Sequence, residues 1–207
     1  MSARRDEPAA NAPELRERVL DAFRDLLRER TFESLSVAEI IAAAGVSRAS
    51  FYFYFAGKQA ALAELVRRAV GAGHQAAQPW TEPGTAAPVD PRAALRAGID
   101  AGATLWLDNA GVLRAIVESW GSDPQLRELW LGQMATFTAA AAERIQADPE
   151  AMRRLAGTDV TAVAASLTWL GERLYYLAAC GVPPFDDRAV LVDTLHHVWI
   201  STLYPGG

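Results

Sequence analysis

Val37-Ala38-Glu39-Ile40-Ile41-Ala42-Ala43-Ala44-Gly45-Val46-Ser47-Arg48-Ala49-Ser50-Phe51-Tyr52-Phe53-Tyr54-Phe55-Ala56-Gly57-Lys58 reads as a short helix, a tight turn and a second short helix crowded with aromatic and hydroxyl side chains. In this helix-turn-helix pattern the second helix enters the DNA major groove. Ser36 is placed as N-cap of the first helix, and Glu39 three positions later completes a capping box. Ile40, Ile41 and Ala44 carry its apolar side. Gly45 stands where the helix must stop, because glycine enters the left-handed region without strain. Val46 fills the gap between the helices. Ser47 caps the second helix, whose unpaired first-turn amides suit a phosphate.

Working outward, Phe51 and Phe55 lie four apart and should anchor the second helix to a local core. Arg48, Ala49, Ser50, Tyr52 and Tyr54 are left for DNA, with Ser36, Ser47 and Lys58 as further contacts. Arginine pairs with guanine, an alanine methyl meets a thymine methyl, and hydroxyls reach bases or phosphates. Lys58 opens the next helix, in position for a phosphate. The competing reading makes all the aromatics core. It suits Phe51 and Phe55, but the five consecutive aromatics of residues 51–55 exceed what one small helix can bury.

Residues 14–58 resemble the head of the TetR family of transcriptional regulators. The resemblance rests on the apolar first helix, Thr31-Phe32-Glu33-Ser34-Leu35-Ser36-Val37, Ala43-Ala44-Gly45-Val46-Ser47 and Phe51 to Lys58. Phe51-Tyr52-Phe53-Tyr54-Phe55, Gly171-Glu172-Arg173 and Asp193-Thr194-Leu195-His196-His197-Val198-Trp199-Ile200 are similar, more narrowly, to the mycobacterial ethionamide-resistance repressor subgroup. The resemblance implies an all-helical homodimer with a long apolar ligand tunnel.

Composition is compatible with this. The chain has 207 residues, 51% of them hydrophobic, enough for a sizeable core in one or two domains. No apolar stretch reaches membrane-spanning length, and the polar start gives no signal peptide. Cys180, the single cysteine, has no internal disulfide partner, which fits a reducing cytoplasm. Three histidines and one cysteine give no metal-ligand spacing, and no cofactor is expected. The net charge of −5 is unevenly spread. Residues 1–79 hold 11 basic and 10 acidic residues, and residues 80–207 hold 9 and 15. The acidic body would disfavour docking on DNA the wrong way round.

Hydrophobic spacing predicts nine helices, at about 13–30, 37–44, 47–53, 57–77, 91–108, 110–120, 124–147, 159–180 and 186–204. Residues 1–12 read as a disordered arm, 13–56 as a DNA-binding domain, and 57–207 as a ligand-binding and dimerisation domain. Four prolines and a glycine between Pro79 and Pro91 read as a loop.

In the body, five of six tryptophans fall in predicted helices. Leu126, Trp130, Met134, Phe137 and Ala141 form one stripe, and Ala165, Thr168, Trp169, Glu172 and Tyr176 another. Such stripes are as often plain core as ligand wall. Glu172 tilts the balance, because a carboxylate among rings is costly unless paired or wet. It would then mark the polar spot of a mostly apolar pocket. Together with the tunnel that the resemblance implies, this gives a candidate ligand set of Leu95, Ile99, Trp106, Trp130, Met134, Phe137, Thr168, Trp169, Glu172, Tyr176 and Trp199. Where the subgroup offers asparagine amides this chain has Thr168 and Gly171, so its ligand is not carried over. Leu167, Leu170, Leu174 and Leu177 make a second apolar face, expected to pair two subunits.

The expected function is a repressor that binds a palindromic double-stranded operator as a cytoplasmic homodimer and is released by a small apolar or amphipathic effector. The alternatives are a small-molecule carrier or enzyme using the same cavity, or an activator. Against an enzyme, no nucleophile-base pair, phosphate loop or metal set is present.

Overall fold

The computed structural model describes residues 12–81 and 90–204, with side chains over 13–71 and 90–204. Helices make up the described secondary structure, in the order α1 (Ala12–Glu29), α2 (Val37–Ala44), α3 (Arg48–Tyr54), α4 (Lys58–Thr81), α5 (Pro91–Asp108), α6 (Ala110–Ser119), α7 (Pro124–Gln146), α8 (Pro149–Arg154), α9 (Val160–Ala179) and α10 (Arg188–Leu203). The all-α expectation holds. The expected arm, apart from Ala12, and residues 82–89 of the expected loop lie outside the described residues. Helix α4 runs four residues beyond its expected end.

Among the described residues the expected nine helices become ten, the addition being α8. Its signal is visible in the chain: Asp148 and Pro149 repeat the Asp-Pro start of α5 and α7. Proline suits the first helical position, where its missing N–H is not needed. Asp148 Oδ1 accepts from the amides of Glu150 (2.9 Å) and Ala151 (3.3 Å), and its Oδ2 accepts from the Tyr204 hydroxyl (2.7 Å). This cap ties α8 to the end of α10.

Apolar periodicity explains the packing. On α1, Val19, Leu20, Phe23 and Leu27 are all at most 1% exposed and meet Phe32, Leu35, Ile40, Phe51 and Phe55. The same cluster continues without a break through Leu62 and Val66 of α4 and Leu113 and Ile116 of α6 to Trp130 and Met134 of α7. A second cluster joins α5, the far part of α7, α8, α9 and α10, centred on Ile145, Leu191 and Leu195.

Glycine decides one junction. Gly111 on α6 lies so close to α1 that a Cβ there would stand 2.4 Å from the Leu27 carbonyl oxygen. The contact is backbone, so no rotamer change relieves it. Gly132 on α7 is the counterexample, with nothing within 4 Å of a built Cβ. Gly111→Ala should therefore lower unfolding free energy by about 1–3 kcal/mol, as overpacking does. Gly132→Ala should raise it by up to about 1 kcal/mol through helix propensity. Denaturant titration of the two variants checks this, and equal effects would contradict the close approach.

Candidate nucleic-acid interface and ligand cavity

The turn is built as its sequence suggests. Ser36 Oγ accepts from the Glu39 amide (3.3 Å), and Glu39 Oε2 accepts from the Ser36 amide (2.8 Å), closing the capping box. Arg30 donates to the same carboxyl at 2.6 Å. That bond first, and then those from Ser36, hold the Glu39 pKa down at about 2. Gly45 is left-handed, with φ 60°. Arg18 donates to the Ala44 and Gly45 carbonyls, each at 2.8 Å, which occupies acceptors left open at the end of α2. Ser47 caps α3 by accepting from the Ser50 amide (3.0 Å).

Helix α3 divides its aromatics between two faces. Phe51 and Phe55 are buried, at 0% and 4% exposure. Ser47, Arg48, Ala49 and Tyr52 face solvent, and the Arg48 guanidinium lies over the Tyr52 ring at 5.3 Å. Phe53 is 79% exposed, the most exposed large apolar side chain among those described. It was not among the expected contacts. Its signal was angular: two residues on from Phe51 is about 200° round the helix, on the opposite face.

Three expected contacts are placed differently. Tyr54 is half-buried against the head core. Ser50 is half-buried, with its hydroxyl 2.8 Å from that of Ser47. Lys58, expected on a phosphate, turns inward, donating to the Phe32 (3.0 Å) and Leu35 (2.9 Å) carbonyls with its ammonium 4.4 Å from the Phe32 ring centre. An ammonium reaches those carbonyls because it sits on the first turn of α4, directly over the bend joining α1 to α2. Ser36 remains exposed, though its hydroxyl is committed to Glu39.

In the body, a cavity of about 180 Å³ opens where the two apolar clusters meet. Apolar cavities of roughly 150 Å³ take up a benzene ring, which sets the scale of an occupant. Leu95, Ile99, Trp106, Trp130, Met134, Phe137, Thr168, Glu172 and Trp199 all line it. Trp169 and Tyr176 do not, which corrects the stripe on α9. Trp169 packs beside Trp120, with ring centres 6.4 Å apart. The Tyr176 hydroxyl donates to Glu118 (3.2 Å), and burial foremost raises its pKa to about 12.

Tyr175 takes the wall position in place of Tyr176. Thr168, Glu172 and Tyr175 stand at i, i+4 and i+7, the spacing of one face; Thr168 and Glu172 lie where the sequence places them, and only the tyrosine is displaced, by one residue. Tyr175 stacks on Trp106 at 6.2 Å and donates to the Ile99 carbonyl at 2.9 Å. Gly102 makes room for it, since a Cβ there would lie 2.7 Å from the Tyr175 hydroxyl. Val70 of α4 and Leu113 of α6 also reach the cavity.

The wall is mostly apolar, and Glu172 is its charged group. It is only 5% exposed, and burial pushes its pKa up against the nearby Arg173 guanidinium. Arg173 stands 3.8 Å from Oε2. The Trp130 indole N–H faces the same carboxyl and tempers the shift, although neither Trp130 Nε1 nor Glu172 Oε1, both buried, has a partner at full hydrogen-bond geometry.

The expected leucine face of α9 is corrected as well. Leu167 and Leu174 are 5% and 8% exposed, packed inside the chain's own second cluster, with Leu170 and Leu177 half-buried against it. The rows turned outward are Ala162, Ser166 and Arg173 on α9 and Val190, Asp193 and His197 on α10. The periodicity was real, but the buried side was the inner one.

Among the described residues, no helix is long and apolar enough to cross a membrane. No cluster of three or more His, Cys, Asp or Glu among them could hold a metal ion.

The family of the C-terminal domain of the transcriptional regulator EthR matches residues 95–205. The tetR family of bacterial regulatory proteins matches residues 19–65. The HTH-type transcriptional regulator EthR of Mycolicibacterium smegmatis is 31% identical over 188 residues, covering 90% of this chain and 84% of that one. The protein of that name from Mycobacterium tuberculosis is 28% identical, covering 90% and 85%. A crystal structure of a transcriptional regulator from Rhodococcus sp. Rha1 shares the fold, with a TM-score of 0.72, 22% identity and coverage of 91% and 95%. With its head and body both matched, the chain belongs to the tetR family of bacterial regulatory proteins, in the group of the transcriptional regulator EthR, and is a DNA-binding transcription regulator rather than an enzyme.

Proposed function

We propose that this protein is a cytoplasmic repressor that binds a palindromic operator as a homodimer and leaves it when a small apolar effector fills the body cavity. The division is a DNA-binding head over 13–56 and an effector and dimerisation body over 57–207. The observation that carries the reading is the outer face of α3, where Arg48, Ala49, Tyr52 and Phe53 stand in water above a fully buried Phe51. Water is a poor partner for two aromatic rings, while thymine methyls and base edges in a major groove are good ones.

The dimer is assigned to the outward rows of α9 and α10. Val190, Thr194, His197, Val198 and Ser201 follow i, i+4, i+7, i+8 and i+11 along α10, one continuous face. A two-fold contact there brings two heads to two half-sites.

Effector and DNA are coupled through two helices. Val70 of α4 and Leu113 of α6 touch the cavity, while Lys58 of α4 grips the bend before α2 and Gly111 of α6 abuts α1. An occupant that spreads the cavity must move those anchors. Effector and operator then favour different head positions, and each weakens the other by the same coupling energy.

A gel shift with DNA from upstream of the protein's own gene tests the whole reading. Arg48→Ala, Tyr52→Ala and Phe53→Ala should each weaken binding by about 1–3 kcal/mol while leaving thermal stability unchanged. Normal affinity in all three would remove α3 as the reading helix. The double variant Val190→Glu with His197→Glu should sediment as a folded monomer and lose operator binding. A dimer that survives it places the interface elsewhere.

A further inference from the structure

The cavity wall has few polar groups, and most are spent. Thr168 Oγ1 donates to the Ala164 carbonyl of its own helix at 2.6 Å. The Tyr175 hydroxyl donates to the Ile99 carbonyl. What is left over is a pair that face each other without closing a well-formed bond: Glu172 Oε1 and Trp130 Nε1, both on wall residues and both buried. Trp130 is 2% exposed and Glu172 5%. The closest approach of Arg173 is to the other carboxyl oxygen, at 3.8 Å, with its own side chain about half in solvent.

Buried polar groups without partners are few in folded proteins, and each raises the free energy of the state that leaves it bare. Here an acceptor and a donor lie together beside an apolar cavity. A single hydroxyl or carboxamide satisfies both, since it donates through one bond and accepts on its oxygen.

We infer that the effector has an apolar body and an uncharged head that both donates and accepts, a carboxamide or a hydroxyl, with its donor on Glu172 Oε1 and its oxygen on Trp130 Nε1. This rests on the effector reading above and gives it a chemistry. A carboxylate head has no donor for Glu172 and brings a second negative group to it in a low-dielectric site. An ammonium head has donors but leaves the indole N–H without an acceptor. The apolar body lies against Met134, Ile99 and Leu95.

The test uses the full-length protein at mildly alkaline pH and four probes of one chain length: octanamide, octanol, octylamine and octanoate. Titration calorimetry gives each dissociation constant, and a gel shift gives operator release. Octanamide and octanol should bind about tenfold or more tighter than octanoate, the worth of one well-made buried hydrogen bond. In Glu172→Leu the preference for the neutral heads over octanoate should collapse. In Glu172→Gln, which offers its own amide donor, octanoate should gain while octanamide keeps its affinity. Trp130→Phe should weaken octanamide and octanol and leave octylamine unchanged. If all four bind wild type equally, or if Glu172→Leu and Glu172→Gln both keep the wild-type order, the head assignment is overturned while the effector cavity stands. If none of the four binds or releases DNA, both readings fail.

Discussion

The rest of this molecule depends on one continuous apolar contact, from Phe23 and Leu27 of the head through Leu62 and Val66 to Trp130 and Met134 at the cavity. A head of one longer helix and two short ones has little core of its own, and small units are hard to stabilise alone. Sharing a core with the body supplies what is missing. It also removes mechanical independence: α1 and α6 touch backbone to backbone at Gly111, with no side chain to absorb a shift. Close-packed interiors transmit displacement for this reason. The feature that stabilises the head is the one that couples it to the cavity.

Helix α3 shows the same economy on a smaller scale. Seven residues cannot hold a helix in water without help, since nucleation is unfavourable and propagation short. Phe51 and Phe55 supply tertiary packing on one side, and Ser47 supplies the cap. The opposite side is then free to carry side chains that do nothing for folding. Arg48 over Tyr52 keeps an exposed cation and an exposed ring in a fixed relation before any DNA arrives.

The cavity is held open by stiff parts. Trp106 stacks on Tyr175 and meets Trp130 edge-on at 6.2 Å, and Tyr175 is locked by its bond to the Ile99 carbonyl. Large planar rings leave gaps that flexible side chains would fill. Placing Glu172 in that wall costs stability, because burial penalises its charged form and Arg173 compensates from a distance.

Much of this was legible in the chain. The capping box at Ser36 and Glu39, the left-handed Gly45, the Ser47 cap and the buried Phe51 and Phe55 are local features, set by residue types within one or two helical turns. Fold class followed from apolar spacing, and part of the cavity wall from aromatic stripes taken together with the family resemblance. Failures came where a side chain's direction depends on a partner distant in sequence. Lys58 turns inward because carbonyls 23 and 26 residues before it lie within reach. Tyr175 takes the place expected of Tyr176 because Gly102, on another helix, leaves space for its ring. The leucines of α9 face inward because α10 and α7 already cover them. Sequence by itself determined the helices, the turn that aims α3 and the residue types available to each face. Only the tertiary structure decided which face of α9 meets the cavity and which polar atoms stay unpaired, because those outcomes are set by contacts between helices far apart along the chain.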